Sequence, residues 1–160
     1  MATLGEYFAK RWEAEQRAFR AVLAAIPGDK LDYRPHEKST GAGDLARQLA
    51  VEQHDLAELI DKQETSYVPT PHGSIEEILA AWDKATDEVR SRLGSLDEAL
   101  LAKPAKFKVG DHVAWEEDLG GMLWGFLFDM VHHRGQLSTY LRPMGSKVPS
   151  IYGPSADDQG

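Results

Sequence analysis

Asp129 and His133 stand four residues apart in the run DMVHHRGQLSTYLRPMG, residues 129 to 145. Read as helix, that spacing puts a carboxylate and an imidazole on one face. Together they could hold one side of a divalent metal ion, the aspartate through an oxygen and the histidine through a neutral ring nitrogen. The same pair could equally be a plain ion pair. Further donors must therefore come from elsewhere in the chain. In helical bundles they come from polar side chains that interrupt apolar stripes.

Two stripes are interrupted in this way. Between Gly43 and Gln63, one face carries Leu45, Leu49, Leu56 and Leu59; Glu52 falls inside it and Gln48 sits at its edge. His54 lands almost opposite the stripe and reads as a surface histidine. Near the C-terminus, Met122, Phe126, Asp129, His133, Gln136 and Tyr140 follow one face, with Leu123, Met130, Leu137 and Leu141 flanking it. A bare carboxylate in such a place is costly unless it is paired, hydrogen-bonded or coordinated to metal. Gln48, Glu52, Asp129 and His133 thus form the candidate site. It can be a metal centre, or a closed polar cluster with His133 protonated against Asp129 and Glu52.

The remaining chain supplies the elements that would position these groups. Residues 4 to 26 have amphipathic helical spacing and stop at Pro27-Gly28. The connector to about residue 42 is rich in glycine and proline and reads as loop. Ser39 or Thr40 is placed to cap a second helix from about Gly43 to Gln63, with Asp44 in its first turn. YVPTPHG reads as another loop. Ser74 and Glu77 then form a capping box ahead of Ile75, Ile78, Leu79, Trp82, Val89 and Leu93. A short helical piece near Leu96 to Leu101 precedes FKVGDHVAW, which predicts a small hairpin turning at Gly110-Asp111. The last long helix is expected from about Glu116 to just before Pro143. Four long helices with little strand predict an all-α protein, a four-helix bundle with a small hairpin insertion before the last helix. Residues 1 to 160 read as a single domain whose last few residues are mobile.

Composition excludes several classes. The chain has 160 residues, no cysteine and a formal net charge of −8. Without cysteine there is no disulfide, thiolate ligand or cysteine nucleophile, and a cytoplasmic location is expected. The acidic balance opposes binding to a phosphate backbone, so no nucleic-acid partner is expected. No apolar run reaches the length of a membrane span, and no secretory signal opens the sequence. No Ser-His-Asp triad or phosphate-cradling glycine loop is evident. His36, His72 and His112 fall in loops or at the hairpin turn and read as solvated. Arg134 is placed to pair with an acidic neighbour, and Gly135 to permit close helix approach. Trp124, Phe126 and Tyr140 would shape a pocket or simply fill the core.

VHHRGQLSTYLRPMGSKVPSIYGPSADD resembles the C-terminal signature of the DinB-like (DinB/YfiT-type) superfamily, and AAIPGDKLDYRPHEKSTGAGDLARQLAVEQ resembles its loop and second helix. The resemblance covers nearly the whole chain. It implies an up-down-down-up bundle, commonly a homodimer, with a divalent metal held by three histidines, one from the second helix and two from the last. The second histidine of HHRGQ matches His133. The other two positions hold Gln48 and Asp129, while Glu52 matches a glutamate frequent in relatives. The resemblance further implies thiol-transferase or hydrolase chemistry on an unknown small molecule, a thiol being the expected partner. Here Glu52 would act as general base beside a Zn, Ni, Mn or Fe ion at Gln48, Asp129 and His133. The alternative is a non-catalytic member that has lost its metal and binds a small molecule or a protein.

Overall fold

A computed structural model describes residues 2–160. The first helix, α1 (Leu4–Ala24), starts at a Thr3/Glu6 capping box, and α2 spans Ala42–Lys62. Strand β1 (Glu64–Tyr67) follows α2 directly, then α3 (Ile75–Arg90) begins at the expected Ser74/Glu77 capping box. A short α4 (Glu98–Leu101), the hairpin β2 (Pro104–Val109) and β3 (His112–Asp118), and α5 (Leu119–Leu141) complete the order.

Three local expectations change. Gly41, not Ser39 or Thr40, caps α2, and no side chain bonds to the helix end. The loop backbone substitutes for one: Ala42 N–H donates to Tyr33 O at 2.9 Å and Gly43 N–H to Leu31 O at 2.8 Å, so two of the orphan donors are satisfied. The last helix starts at Leu119 rather than Glu116, because Glu116 still pairs with Lys106 across the hairpin and Asp118 caps α5 by accepting from Gly121 N–H at 2.7 Å. Finally, the fold is not strictly all-α. Four long helices dominate, but β1 joins the hairpin to make a three-stranded sheet in the order β1-β2-β3.

That sheet explains how the insertion becomes part of the site. Gln63 ends α2 in the left-handed region (φ 55°), turning the chain sharply into β1. β1 pairs parallel with β2, Thr65 opposite Phe107, so the hairpin is pinned to the end of α2. Phe107 and Trp115 face each other on β2 and β3, and both rings meet Phe126 of α5, at 5.7 and 5.9 Å between centroids. Gly125 makes this possible, since a Cβ there would overlap the Trp115 indole.

Beneath the sheet, the apolar faces of the long helices form one continuous core. Trp12, Phe19, Leu45, Leu49, Leu56, Leu59, Ile78 and Trp82 are fully buried within it, each contributing on the order of 2 kcal/mol by removal from water.

Candidate metal centre

The leucine stripe of α2 is buried as its spacing predicts, and Glu52 is buried with it, only 8% exposed. Asp129 and His133 lie one turn apart on α5, at the border between core and solvent. Their side chains are 54% and 17% exposed. The cost of desolvating a carboxylate therefore falls on Glu52 and not on Asp129.

The structure brings all four candidate residues together. Gln48 Nε2 lies 2.7 Å from Glu52 Oε1 and 2.9 Å from His133 Nε2. Asp129 Oδ2 lies 3.2 Å from the same ring nitrogen. Ligand atoms of Glu52, Asp129 and His133 all fall within 4.8 Å of one another. Two further atoms are buried without a hydrogen-bond partner, Glu52 Oε2 and His133 Nδ1.

Protons alone leave this set unsatisfied. His133 Nε2 can accept from the Gln48 amide or donate to Asp129, but it cannot do both. Half a turn of the Gln48 amide exchanges its oxygen and nitrogen with little change of shape. Then Gln48 Oε1, a Glu52 oxygen, an Asp129 oxygen and His133 Nε2 all present lone pairs toward one another. A divalent cation satisfies such a set, and one imidazole with oxygen donors suits zinc, manganese or iron. The residues present therefore fit a metal ion.

Burial pushes the Glu52 carboxyl up to about 8, with the neighbouring Asp129 charge adding to the effect and the Gln48 hydrogen bond opposing it. At neutral pH Glu52 holds a proton that an arriving cation would have to displace.

The cluster opens on a cleft of about 700 Å³ between α2, α5 and the sheet. Gln48, Glu52 and Asp129 line it together with Phe107, Trp115 and Phe126. Of the three aromatic residues suggested from sequence, Phe126 borders the cleft. Trp124 packs instead on Tyr7, Phe8 and Phe128, and Tyr140 is buried with its hydroxyl donating to Thr40 O at 3.3 Å.

The remaining candidates take structural or surface roles. His54 is exposed and 2.9 Å from Glu88. His132 is exposed beside the His133 ring, and His36 and His112 are exposed. His72 is half-buried, 3.7 Å from Asp32. Arg134 finds its acidic neighbour in Glu15 at 2.7 Å. Gly135 does not serve close packing: it is exposed, and a Cβ there would touch nothing. Sequence reasoning missed the part of the cleft lined by the hairpin. Trp115 and Phe107 alternate in the predicted hairpin, which hinted that one face is covered, but nothing local shows that α5 covers it. Arg47 and Asp55, which also line the cleft, lie beside the leucine stripe and carried no separate signal.

The model of the DinB family matches residues 1–159. No curated protein matches the chain significantly. Among solved structures, a DinB-like protein from Bacillus subtilis is 19% identical, with 88% of this chain and 93% of that one covered at a TM-score of 0.69. A DinB-like protein from Bacillus cereus is 18% identical, with 91% and 95% covered at a TM-score of 0.73. At these identities the likeness concerns the fold.

Proposed function

The chain belongs to the DinB family, and on that footing we propose that it is a divalent-metal-dependent enzyme of thiol-transferase or hydrolase type, acting on a small molecule held in the α2–α5 cleft. The observation that carries this reading is the convergence of Glu52, Asp129 and His133 within 4.8 Å, with Glu52 Oε2 buried and unpartnered, on the wall of a cleft large enough for a substrate. Zinc, nickel, manganese or iron(II) bound there would lower the pKa of a thiol or water.

The chain's own residues divide the work. His133 Nε2 and Asp129 would hold the ion from α5, while the Gln48 amide, turned to present its oxygen, would hold it from α2. Glu52 would complete the set on losing its proton. Uncoordinated and ionised, it would instead take the proton of the thiol or water at Oε2; its raised pKa of about 8 places that ionised form above neutral pH. The aromatic wall of Phe107, Trp115 and Phe126 keeps water from the substrate's apolar part. We place the protein in the cytoplasm, consistent with the lack of cysteine; no helix of the described residues is long and apolar enough to cross a membrane. We further propose the up-down-down-up helix order and a homodimer, as the family resemblance implies. Exposed Leu4, Tyr7 and Phe128 support such an interface.

A second reading is favoured by the Gln48–Glu52 hydrogen bond and the His133–Asp129 contact, which let the four groups partly satisfy one another with protons alone. The protein would then be a non-catalytic, ligand-binding bundle. Elemental analysis of tag-free protein after exposure to zinc, nickel, manganese and iron(II) separates the two. Near-stoichiometric metal that disappears in a D129A/H133A variant supports the enzyme reading. Metal at the variant's background level in well-folded wild type rejects it.

A further inference from the structure

Arg47 is the one cationic side chain lining the α2–α5 cleft among the described residues. Its Nε is buried without a hydrogen-bond partner. No carboxylate of the described residues lies within ion-pair distance of its guanidinium. Arg90, Arg92, Arg134 and Arg142 each grip a carboxylate at 2.7 to 3.0 Å, although Arg134 Nε also lacks a hydrogen-bond partner.

Four acidic residues share the cleft, and each is engaged elsewhere or set apart. Asp55 receives the Thr65 hydroxyl on Oδ1 at 2.7 Å. Asp44 is exposed in the first turn of α2. Glu52 and Asp129 belong to the metal cluster. A half-buried guanidinium with an unmatched donor is a costly group to keep, and its planar fork matches a carboxylate with two parallel hydrogen bonds.

We infer that Arg47 anchors a carboxylate on the molecule that occupies this cleft, so that the ligand is a small monocarboxylate whose apolar body lies against Phe126 and Trp115. The inference rests on the cleft being a ligand site, as the proposed function has it. Arg47 lines the same cleft as Gln48, Glu52 and Asp129, so an anchored carboxylate places the ligand's body in reach of the metal cluster. The acidic lining disfavours a doubly charged group such as a phosphate monoester, because like charges in a confined cleft repel.

The test uses EDTA-stripped protein, so that no anion can bind through a metal. 3-Phenylpropanoate, its neutral amide and phenyl phosphate are titrated while backbone NMR shifts of Gln48, Val51 and Gly125 are followed. The acid is expected to bind about ten- to a hundredfold more tightly than the amide and more tightly than phenyl phosphate. R47Q should abolish the acid's advantage. R47K, which keeps charge but loses the fork, should retain part of it, and both variants should melt near the wild-type temperature. Equal binding of acid and amide, an unchanged preference in R47Q, tighter binding of phenyl phosphate, or no cleft shift with any probe would each overturn the inference. Failure of the metal reading shows separately, as absent metal in loaded wild type, and leaves this stripped-protein comparison intact.

Discussion

Glu52 and Gln53 are consecutive residues of α2, both buried, and they face two polar clusters of opposite character. Around Gln53 every group has a partner. Its Oε1 accepts from Trp12 Nε1 at 3.3 Å, and its Nε2 donates to Gln16 Oε1 at 2.9 Å and to Thr86 Oγ1 at 3.1 Å. Gln16 in turn donates to Trp12 O. Around Glu52, one oxygen is unpartnered and one imidazole nitrogen faces two incompatible neighbours. A second cluster is charge-paired, although its Arg134 Nε has no hydrogen-bond partner: Arg134 donates to Glu15 and to Tyr152, whose hydroxyl donates to Glu15. A folded core satisfies its buried polar groups with its own atoms. Where a cluster beside a cleft falls short, the missing partner is best sought outside the chain.

The sharpest way to test this contrast is to remove the charge partner of the buried Arg134. Glu15→Ala leaves the Arg134 guanidinium buried without its charge partner, and should lower unfolding stability by about 3 to 5 kcal/mol, read from urea denaturation. Glu52→Gln should do the reverse above neutral pH. Folded Glu52 keeps its proton up to about pH 8, whereas in the unfolded chain it ionises near its ordinary 4.5. Between those values the folded state binds more protons, so wild-type stability falls as pH rises through the window. E52Q removes that slope and gains on the order of 3 kcal/mol at pH 9, visible in melting curves at pH 5 and pH 9. A wild type equally stable at both, relative to E52Q, would mean that Glu52 is not held neutral by burial.

Gln53→Leu should cost about 2 kcal/mol, because it strands the Trp12 and Gln16 side chains in the core. Were it harmless, the Gln53 network would be no more complete than the Glu52 cluster. The smallest effect is on α5. Gly135→Ala should stabilise by up to about 1 kcal/mol, since the position is exposed and helical with room for a Cβ. Gly125→Ala, ten residues earlier, should instead push Trp115 off Phe126 and distort the cleft, seen as lost near-UV circular dichroism.

Much of this arrangement was legible in the sequence because it follows helical periodicity. Leu45, Leu49, Leu56 and Leu59 marked the buried face of α2, so Glu52 was placed correctly within it, and the same spacing set His54 outside. On α5 the face was right but its depth was not: Asp129 follows the stripe, yet the cleft exposes it, and only the packing of neighbouring elements decides that. The Ser74 capping box was readable, whereas the Asp118 cap of α5 was not, because the hairpin runs up to it. The start of α2, held by loop backbone from Leu31 and Tyr33, was not readable either. β1 escaped because ETSY is short and its partner in the parallel pairing lies some forty residues away in β2. Gln53 and Arg134 lay beside apolar positions, where spacing alone does not reveal partners on α1, on α3 and in the segment after α5.

The most direct test of the central claim is a calorimetric titration of zinc(II) into stripped protein at pH 7, in two buffers of different ionisation enthalpy. Wild type should bind near one ion and release about one proton from Glu52, D129A/H133A should give no binding heat, and E52Q should bind more weakly without that proton. Absence of binding heat in folded wild type, or binding that survives D129A/H133A, would contradict the claim that these lone pairs are arranged for a cation.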